Sequence, residues 1–269
     1  MKISVIRGFQ DSPQIVRWKS KEKGNNKLNL IIEQGNSATK LAVYDQQQMI
    51  FSAVYEDLKE VDLLHLFSRF PLQRGILSSV IGRDNELISY LNQRLERFLF
   101  LDENVRLPIE IRYQTPHTLG RDRIAVAVGA NYLQPERDLL VIDAGTAITY
   151  EVIVSPGVYL GGNISPGMTT RFKALNRFTR QLPLVNSQED VPLIGTSTES
   201  AILAGVVNGI VYEMDGYIDT LRSKYPGLYV FLTGGHSIYF EKRLKNTIFA
   251  AINLVLTGLN RILEYNVED

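Results

Sequence analysis

The 269-residue chain contains no cysteine, so disulfides and thiolate metal sites are excluded, a composition compatible with a reducing cytoplasm. Its three histidines, His65, His117 and His236, are too scattered for a metal-ligand spacing. Neither glycine-rich nucleotide fingerprint, GxxxxGK followed by Ser or Thr, or GxGxxG, occurs. The longest apolar stretch, Ala201 to Tyr212, is interrupted by Asn208 and is too short to span a bilayer, so a soluble protein with no membrane partner is expected. Formal net charge is zero, which argues against a broadly basic nucleic-acid surface. The charge is uneven, however. Lys2, Arg7, Arg17, Lys19, Lys21, Lys23 and Lys27 face only Asp11 and Glu22 in the first segment, so residues 1–27 are basic and the remainder is acidic. That segment has no apolar run of the roughly 7–15 residues a signal peptide needs. It reads as a flexible basic extension ahead of the domain, with a nucleic-acid- or partner-binding arm as the functional alternative.

What the chain does have is one device twice. Ile31-Ile32-Glu33-Gln34-Gly35-Asn36-Ser37-Ala38-Thr39-Lys40 is followed much later by Val141-Ile142-Asp143-Ala144-Gly145-Thr146-Ala147-Ile148-Thr149-Tyr150. Each is an apolar strand ending in a carboxylate, then any residue, a glycine and a small polar residue before a second strand. Gly35 and Gly145 can take φ > 0 and lack Cβ, so backbone N–H groups can close on an anion. Asn36, Ser37, Thr146 and Thr149 add side-chain donors. Glu33 or Asp143 can hold a hydrated Mg2+ against phosphate oxygens, and Lys40 can set a point charge on a phosphate. One such stretch alone reads equally well as an ordinary hairpin with a glycine turn. Two copies favour a phosphate and metal device, and two similar halves: an N-terminal lobe at residues 28–138 and a C-terminal lobe at 139–269.

In the first half, strands are expected at Leu28–Glu33, Thr39–Tyr44, Met49–Val54 and Ile76–Val80, with helices at Val61–Phe70 and Glu86–Phe100. Ile109–Tyr113 alternates like another strand. The polar loop Thr115 to Arg123 then leads into an Ala-rich helix, Ile124–Leu133. Asp122 is well placed to cap that helix. The functional alternative is that Arg121-Asp122-Arg123 joins a base with two anion binders, since arginine can grip a carboxylate through two parallel hydrogen bonds. The second half is expected to run as strands Leu139–Asp143 and Ile148–Val154, the turn Ser155-Pro156-Gly157, and a small-residue strand or loop from Tyr159 to Gly167. A helix Met168–Phe178, an irregular stretch Gln181–Ser197 and a long helix from Thr198 to about Tyr225 follow. The small residues Ala201, Ala204, Gly205 and Gly209 on that helix suit either core packing or a subunit interface. The last elements are a strand Leu228–Thr233 and a helix Ile252–Tyr265. Thr233-Gly234-Gly235 after the strand can let a flat ring lie on the backbone, as adenine requires, or can be a plain turn.

Taken together, these motifs resemble the actin, Hsp70 and sugar-kinase superfamily of two-lobed phosphotransferases, and within it the type III pantothenate kinases, from about Leu28 to the C-terminus. The resemblance implies an α/β fold of two actin/Hsp70-like (ribonuclease H-like) lobes, with mixed sheets flanked by helices. It implies ATP-dependent phosphorylation of pantothenate to 4′-phosphopantothenate, the first step of coenzyme A synthesis, in a cytoplasmic homodimer. By this resemblance Glu33, Gln34, Gly35, Asn36, Ser37, Ala38, Thr39 and Lys40 form the first phosphate motif. Gly120, Arg121, Asp122 and Arg123 bind pantothenate, with Asp122 as the proposed base. Tyr113 matches a substrate-contacting aromatic, and Thr198 a threonine that contacts pantothenate in the dimer. Asp143 matches a monovalent-cation ligand, K+ or NH4+, and Thr146 an ATP contact. Gly161 to Gly167 resembles a motif near the subunit interface, and Thr233, Gly234 and Gly235 the adenosine motif.

Two residues depart from the family pattern. The first acid is usually Asp but is Glu33 here, and Glu151 stands where the second motif often ends in Asp. The extra methylene of Glu33 would hold Mg2+ through a water or slightly displaced, because that ion demands near-ideal octahedral geometry. Two competing readings remain: another phosphotransferase of the superfamily acting on a different small molecule, and a non-catalytic homologue or regulator that keeps the fold.

Overall fold

The computed structural model describes residues 27–267, so the expected basic extension lies outside the described residues except for Lys27. Its first half starts with three hairpin-linked strands, β1 (Leu28–Gln34), β2 (Thr39–Asp45) and β3 (Gln48–Tyr55). Helix α1 (Glu60–Arg69), strand β4 (Leu72–Ser79), helix α2 (Asn85–Arg94) and strand β5 (Arg97–Phe100) follow. They form a sheet of order β3-β2-β1-β4-β5, with β1 antiparallel to β2 and parallel to β4. Every residue of β1 is buried, because helices cover both faces; hence its mostly apolar sequence, interrupted by the buried Asn29, rather than an alternating one.

The later part comprises β6 (Glu110–Ile111), α3 (Arg121–Leu133), β7 (Leu139–Ala144), β8 (Ala147–Val154) and β9 (Val158–Pro166). It continues through α4 (Met168–Phe178), α5 (Thr198–Lys224), β10 (Tyr229–Thr233), α6 (Ser237–Glu241), β11 (Phe249–Ala250) and α7 (Leu254–Val267). The second sheet has the order β11-β10-β7-β8-β9-β6. Five of its strands repeat the order and directions of the first sheet, and β6 is added in parallel beside β9. The expected pair of similar mixed-sheet lobes is therefore present.

The lobes share a core. Ile31 and Ile76 of the first sheet and Val141 and Phe231 of the second join one apolar cluster with α3 and α7. Helix α7, from the end of the chain, lies on β1 and β4, whereas α3, from the first half, lies on β7 and β8. The two helices cross closely at Gly129 and Gly258: a Cβ on Gly258 would stand 1.8 Å from the Ala125 carbonyl oxygen. The outer face of the first sheet packs Leu30, Ile32 and Leu77 under α1 and α2. That of the second packs Leu140, Ile142 and Leu232 under α5.

Some boundaries differ from expectation. The helix expected over Glu86–Phe100 stops after Arg94, where Leu95 turns extended, and Arg97–Phe100 pairs instead with Arg74–Leu77. The spacing of Leu87, Leu91, Leu95 and Phe98 fits a helix, but the open edge of β4 offers the last residues a ladder of backbone hydrogen bonds. The strand expected at Ile76–Val80 begins earlier, at Leu72, and the one at Ile109–Tyr113 shrinks to Glu110–Ile111.

Candidate active site

The two strand-end carboxylates lie at the carboxyl ends of the parallel pairs in their sheets, where open α/β sheets form crevices. Glu33 faces Lys40 across the β1–β2 ladder, and the Lys40 Nζ stands 3.0 Å from the buried Glu33 Oε2. Asp143 lies between Thr149 of β8 and Thr233 of β10. The hairpin tips touch: Ser37 Oγ and Thr146 Oγ1 are 3.2 Å apart. One crevice thus gathers acids from both lobes. The Asp143 carboxyl is pushed up to about 6, first by burial, with the charges of Asp122, Glu33 and Glu151 adding and Lys40 opposing.

The hairpin glycines do not work as expected. Neither Gly35 nor Gly145 has positive φ; among the hairpin and nucleotide motifs that conformation belongs to Gly234, at φ 92°. The Gly35 N–H donates to the Ala38 carbonyl (3.0 Å) and the Gly145 N–H to that of Ala147 (2.9 Å), so each closes its own turn rather than facing an anion. The tight turn, in which a Cβ on Gly35 would come within 3.2 Å of Ala38 O, accounts for the glycine. Asn36, Ser37 and Thr146 remain exposed as donors, while Gln34 and Thr39 are buried and Ala38 is half-buried.

Gly120, not Asp122, is the N-cap of α3, and the helix starts three residues before the expected Ile124. Asp122 sits in the first turn, where its Oδ1 accepts from the Arg123 N–H at 2.9 Å. A carboxylate there is favoured by the helix dipole. Arg121 is half-buried at the first helical position. Arg123 turns inward. Its Nε and Nη2 donate to Glu151 Oε1 and Oε2 at 2.7 and 2.9 Å, and Nη2 also donates to the Tyr159 hydroxyl at 3.0 Å. Tyr159 donates in turn to Glu151 Oε2 at 2.6 Å. Burial alone would lower the Arg123 pKa, but the paired Glu151 outweighs it and holds the guanidinium above its usual range. The guanidinium is therefore committed inside the protein rather than open to a carboxylate ligand. Tyr113, half-buried, lies with its ring centroid 5.8 Å from Arg123 Cζ and 6.2 Å from the Tyr159 ring. The sequence reading missed Glu151 as the partner of Arg123. Its signal was a lone acid within the apolar run Ile148–Val154, which demands a buried cation.

At the end of β10, Thr233 is buried and Gly235 exposed. Gly234 packs onto the acid of the second hairpin, since a Cβ there would stand 2.4 Å from Asp143 Oδ1. His236, expected from the sequence only to be no part of a metal site, follows. Its N–H donates to the Ala144 carbonyl at 3.0 Å, and burial holds its imidazole below the usual histidine range against hydrogen bonds to the Ala144 and Gly145 backbone. Thr198 is placed elsewhere. It opens α5 behind the Ser197 cap and lines a largely apolar groove of about 730 Å³ between α4 and α5, none of whose lining residues belongs to the crevice.

Comparison with known proteins identifies the family and the fold. The family model for type III pantothenate kinase matches residues 29–220. The type III pantothenate kinase of Phocaeicola vulgatus is 49% identical over 241 residues, covering 89% of this chain and 99% of that protein. That of Cytophaga hutchinsonii is 43% identical over 240 residues, covering 89% and 100%. Among solved structures, a Baf family protein from Campylobacter jejuni superposes with TM-score 0.55 at 23% identity, over 89% of this chain and all of that one. A protein from Sinorhizobium meliloti described as a 2-dehydro-3-deoxygalactonokinase does so with TM-score 0.56 at 12% identity, over 88% and 98%. At those identities the likeness concerns the fold, which is the two-lobed actin and sugar-kinase type. With a family pattern over most of its length and near-half identity to relatives it spans almost end to end, the chain belongs to the type III pantothenate kinase family.

Proposed function

We propose that the protein phosphorylates pantothenate at its 4′-hydroxyl with ATP, the first step of coenzyme A synthesis. The observation that carries this reading is the meeting of the two hairpin tips, 3.2 Å apart at Ser37 and Thr146, over a crevice whose acids include Asp122. Phosphoryl transfer is dominated by positioning and charge neutralisation, and the crevice supplies both. In this reading the Glu33–Lys40 turn meets the phosphates through the exposed Asn36 and Ser37 and through Lys40, together with Thr146, while Thr233, Gly234 and Gly235 meet the adenosine. Asp122 accepts the proton of the attacking hydroxyl. Arg121 and Tyr113 orient pantothenate with Gly120, while Arg123 serves by holding Glu151 and Tyr159 beneath them.

The residues fit a divalent cation. Glu33 Oε2 is buried and no aligned hydrogen-bond donor reaches it, although Lys40 is near enough to balance its charge; its register neighbour Ser78 also buries an unpartnered oxygen. No group of three or more Asp, Glu or His side chains placed to hold a metal is found among the described residues, and Mg2+ can be held by a single carboxylate with waters and phosphate completing its shell. Glu33 would hold that ion, which neutralises phosphate charge when bound. The crowding of Asp143 by other carboxylates favours a monovalent cation, K+ or NH4+, beside it. The same reading makes the protein a cytoplasmic homodimer, with Thr198 reaching pantothenate near the subunit interface, and divides the chain into lobes at 28–138 and 139–269. It takes no nucleic-acid or membrane partner; no helix among the described residues is long and apolar enough to cross a membrane.

The test is ADP release from MgATP by the purified protein, with and without pantothenate, in K+ and in Na+ buffer. Release that needs both pantothenate and K+ is expected. ATP binding without release in either buffer would refute the kinase reading, and equal rates in Na+ would remove the cation from Asp143.

A further inference from the structure

The tip of the second hairpin has few contacts of its own, since Thr146 is exposed and Gly145 half-exposed. What immobilises it comes from the corner between β9 and α4. The Thr146 carbonyl accepts from the Gly167 N–H at 3.0 Å and from the Thr170 hydroxyl at 2.7 Å. Both lone pairs of that oxygen are thereby used, and with them the planar peptide is locked. The corner comes this close only because residue 167 has no side chain: a Cβ there would stand 2.2 Å from the Gly145 oxygen and 2.6 Å from that of Thr146. Thr170 lies in the first turn of α4, whose N-cap, Gly167, supplies no side-chain cap. Its hydroxyl points to the hairpin rather than to its own helix.

The corner is braced from behind. Arg171 Nε donates to the Pro166 carbonyl at 2.8 Å, and its Nη2 to Ser165 Oγ at 2.7 Å and to the Glu213 carboxylate of α5. Glu213 also accepts from Tyr150 of β8 at 2.7 Å and from Ser165 at 3.1 Å. Arg171 of α4 and Glu213 of α5 thus converge on the two residues that precede Gly167, and Tyr150 of β8 holds Glu213 in turn. The result is to present the Thr146 hydroxyl into the crevice opposite Ser37.

We infer that Thr170, backed by the Arg171–Glu213 pair, is a positioning residue for the nucleotide: it holds the Thr146 peptide so that the Thr146 side chain meets the ATP phosphates. This rests on the reading of Thr146 as a nucleotide contact. In this reading the Thr170 hydroxyl acts through the hairpin, on the Thr146 carbonyl.

Steady-state kinetics with ATP and pantothenate varied separately, together with thermal midpoints, test it on Thr170→Val, Thr170→Ser and Thr146→Ala. Valine keeps the shape of threonine and removes one hydrogen bond, so the KM for ATP should rise about five- to tenfold. The KM for pantothenate should stay within about twofold, because nothing that orients the acceptor has moved. Thr170→Ser should restore the ATP value, and Thr146→Ala should raise it. An unchanged ATP KM in Thr170→Val, with the Thr146→Ala effect present, overturns this inference alone. Equal increases in both KM values with a lowered midpoint would overturn it too, as the mark of a merely structural residue. An unchanged ATP KM in Thr146→Ala would instead remove the nucleotide role of Thr146, and the inference with it.

Discussion

Replacing Glu151 by Gln is the sharpest perturbation the structure offers, because it separates a buried support from a substrate ligand. The Arg123 and Glu151 side chains are 7% and 0% exposed and meet through two hydrogen bonds, with Tyr159 closing the ring of partners. Glutamine keeps the shape but removes the charge, and its amide turns a donor toward a guanidinium that can only donate. Removing one partner of a buried pair leaves the other charge uncompensated, at a cost of about 3–5 kcal/mol. For a protein of this size each kcal/mol moves the thermal midpoint by roughly 2–4 °C, so a fall of about 6–20 °C is expected. Circular dichroism melts of the wild type and Glu151→Gln would measure it. Glu110→Gln is the matched control, since the Arg112–Glu110 pair is more than half exposed on both sides and should leave the midpoint essentially unmoved. Arg123→Met combined with Glu151→Gln should recover part of the loss, because the stranded cation is gone. A midpoint lowered by less than about 3 °C in Glu151→Gln would refute the reasoning. So would a double variant no more stable than the single one. If the effect fell instead on the KM for pantothenate at an unchanged midpoint, Arg123 would be a substrate grip after all.

Two further outcomes follow from the site and its brace. Asp122→Asn should lower kcat by about 10² to 10⁴-fold with little change in ATP affinity, the usual range for a lost general base; near-normal turnover in a rapid-quench assay would reject Asp122 as the base. Burial raises the Glu213 pKa, but hydrogen bonds from Arg171, Tyr150 and Ser165 outweigh it and hold the carboxyl below its usual value of 4.5. A depressed carboxyl contributes stability that is fully present above the unfolded value and is lost as pH falls through the folded one. Urea unfolding from about pH 5 to about pH 3 should therefore show a smaller acid-dependent loss in Glu213→Gln than in the wild type. Parallel curves for the two proteins would mean that the carboxylate does not carry this linkage.

Much of the molecule could be read from the chain because its signals were local. The strand-ending carboxylates Glu33 and Asp143 and the apolar runs before them needed only nearest neighbours to be interpreted, whereas the positive φ expected of Gly35 and Gly145 is absent. Buried strands are apolar on both faces, so β1, β2, β7 and β10 appeared within a residue or two of their true bounds. The failures were those of context. Arg97–Phe100 continues a helical spacing, yet it pairs with β4 because an open strand edge lies beside it. Asp122 looks like a cap, but the helix begins earlier, at a glycine.

The sequence by itself determined the duplicated hairpin, the two-lobed mixed-sheet fold and the family, since these rest on residue types at short, fixed spacings. Tertiary structure alone decided which charges meet. That Arg123 is spent on Glu151, that Asp143 is crowded by acids from both lobes, and that Thr170 reaches back to the Thr146 carbonyl all join residues far apart in the chain. The reason is physical: side-chain hydrogen bonds and charge pairs act over a few ångströms of space, and only packing of the sheets and helices brings such residues within that range.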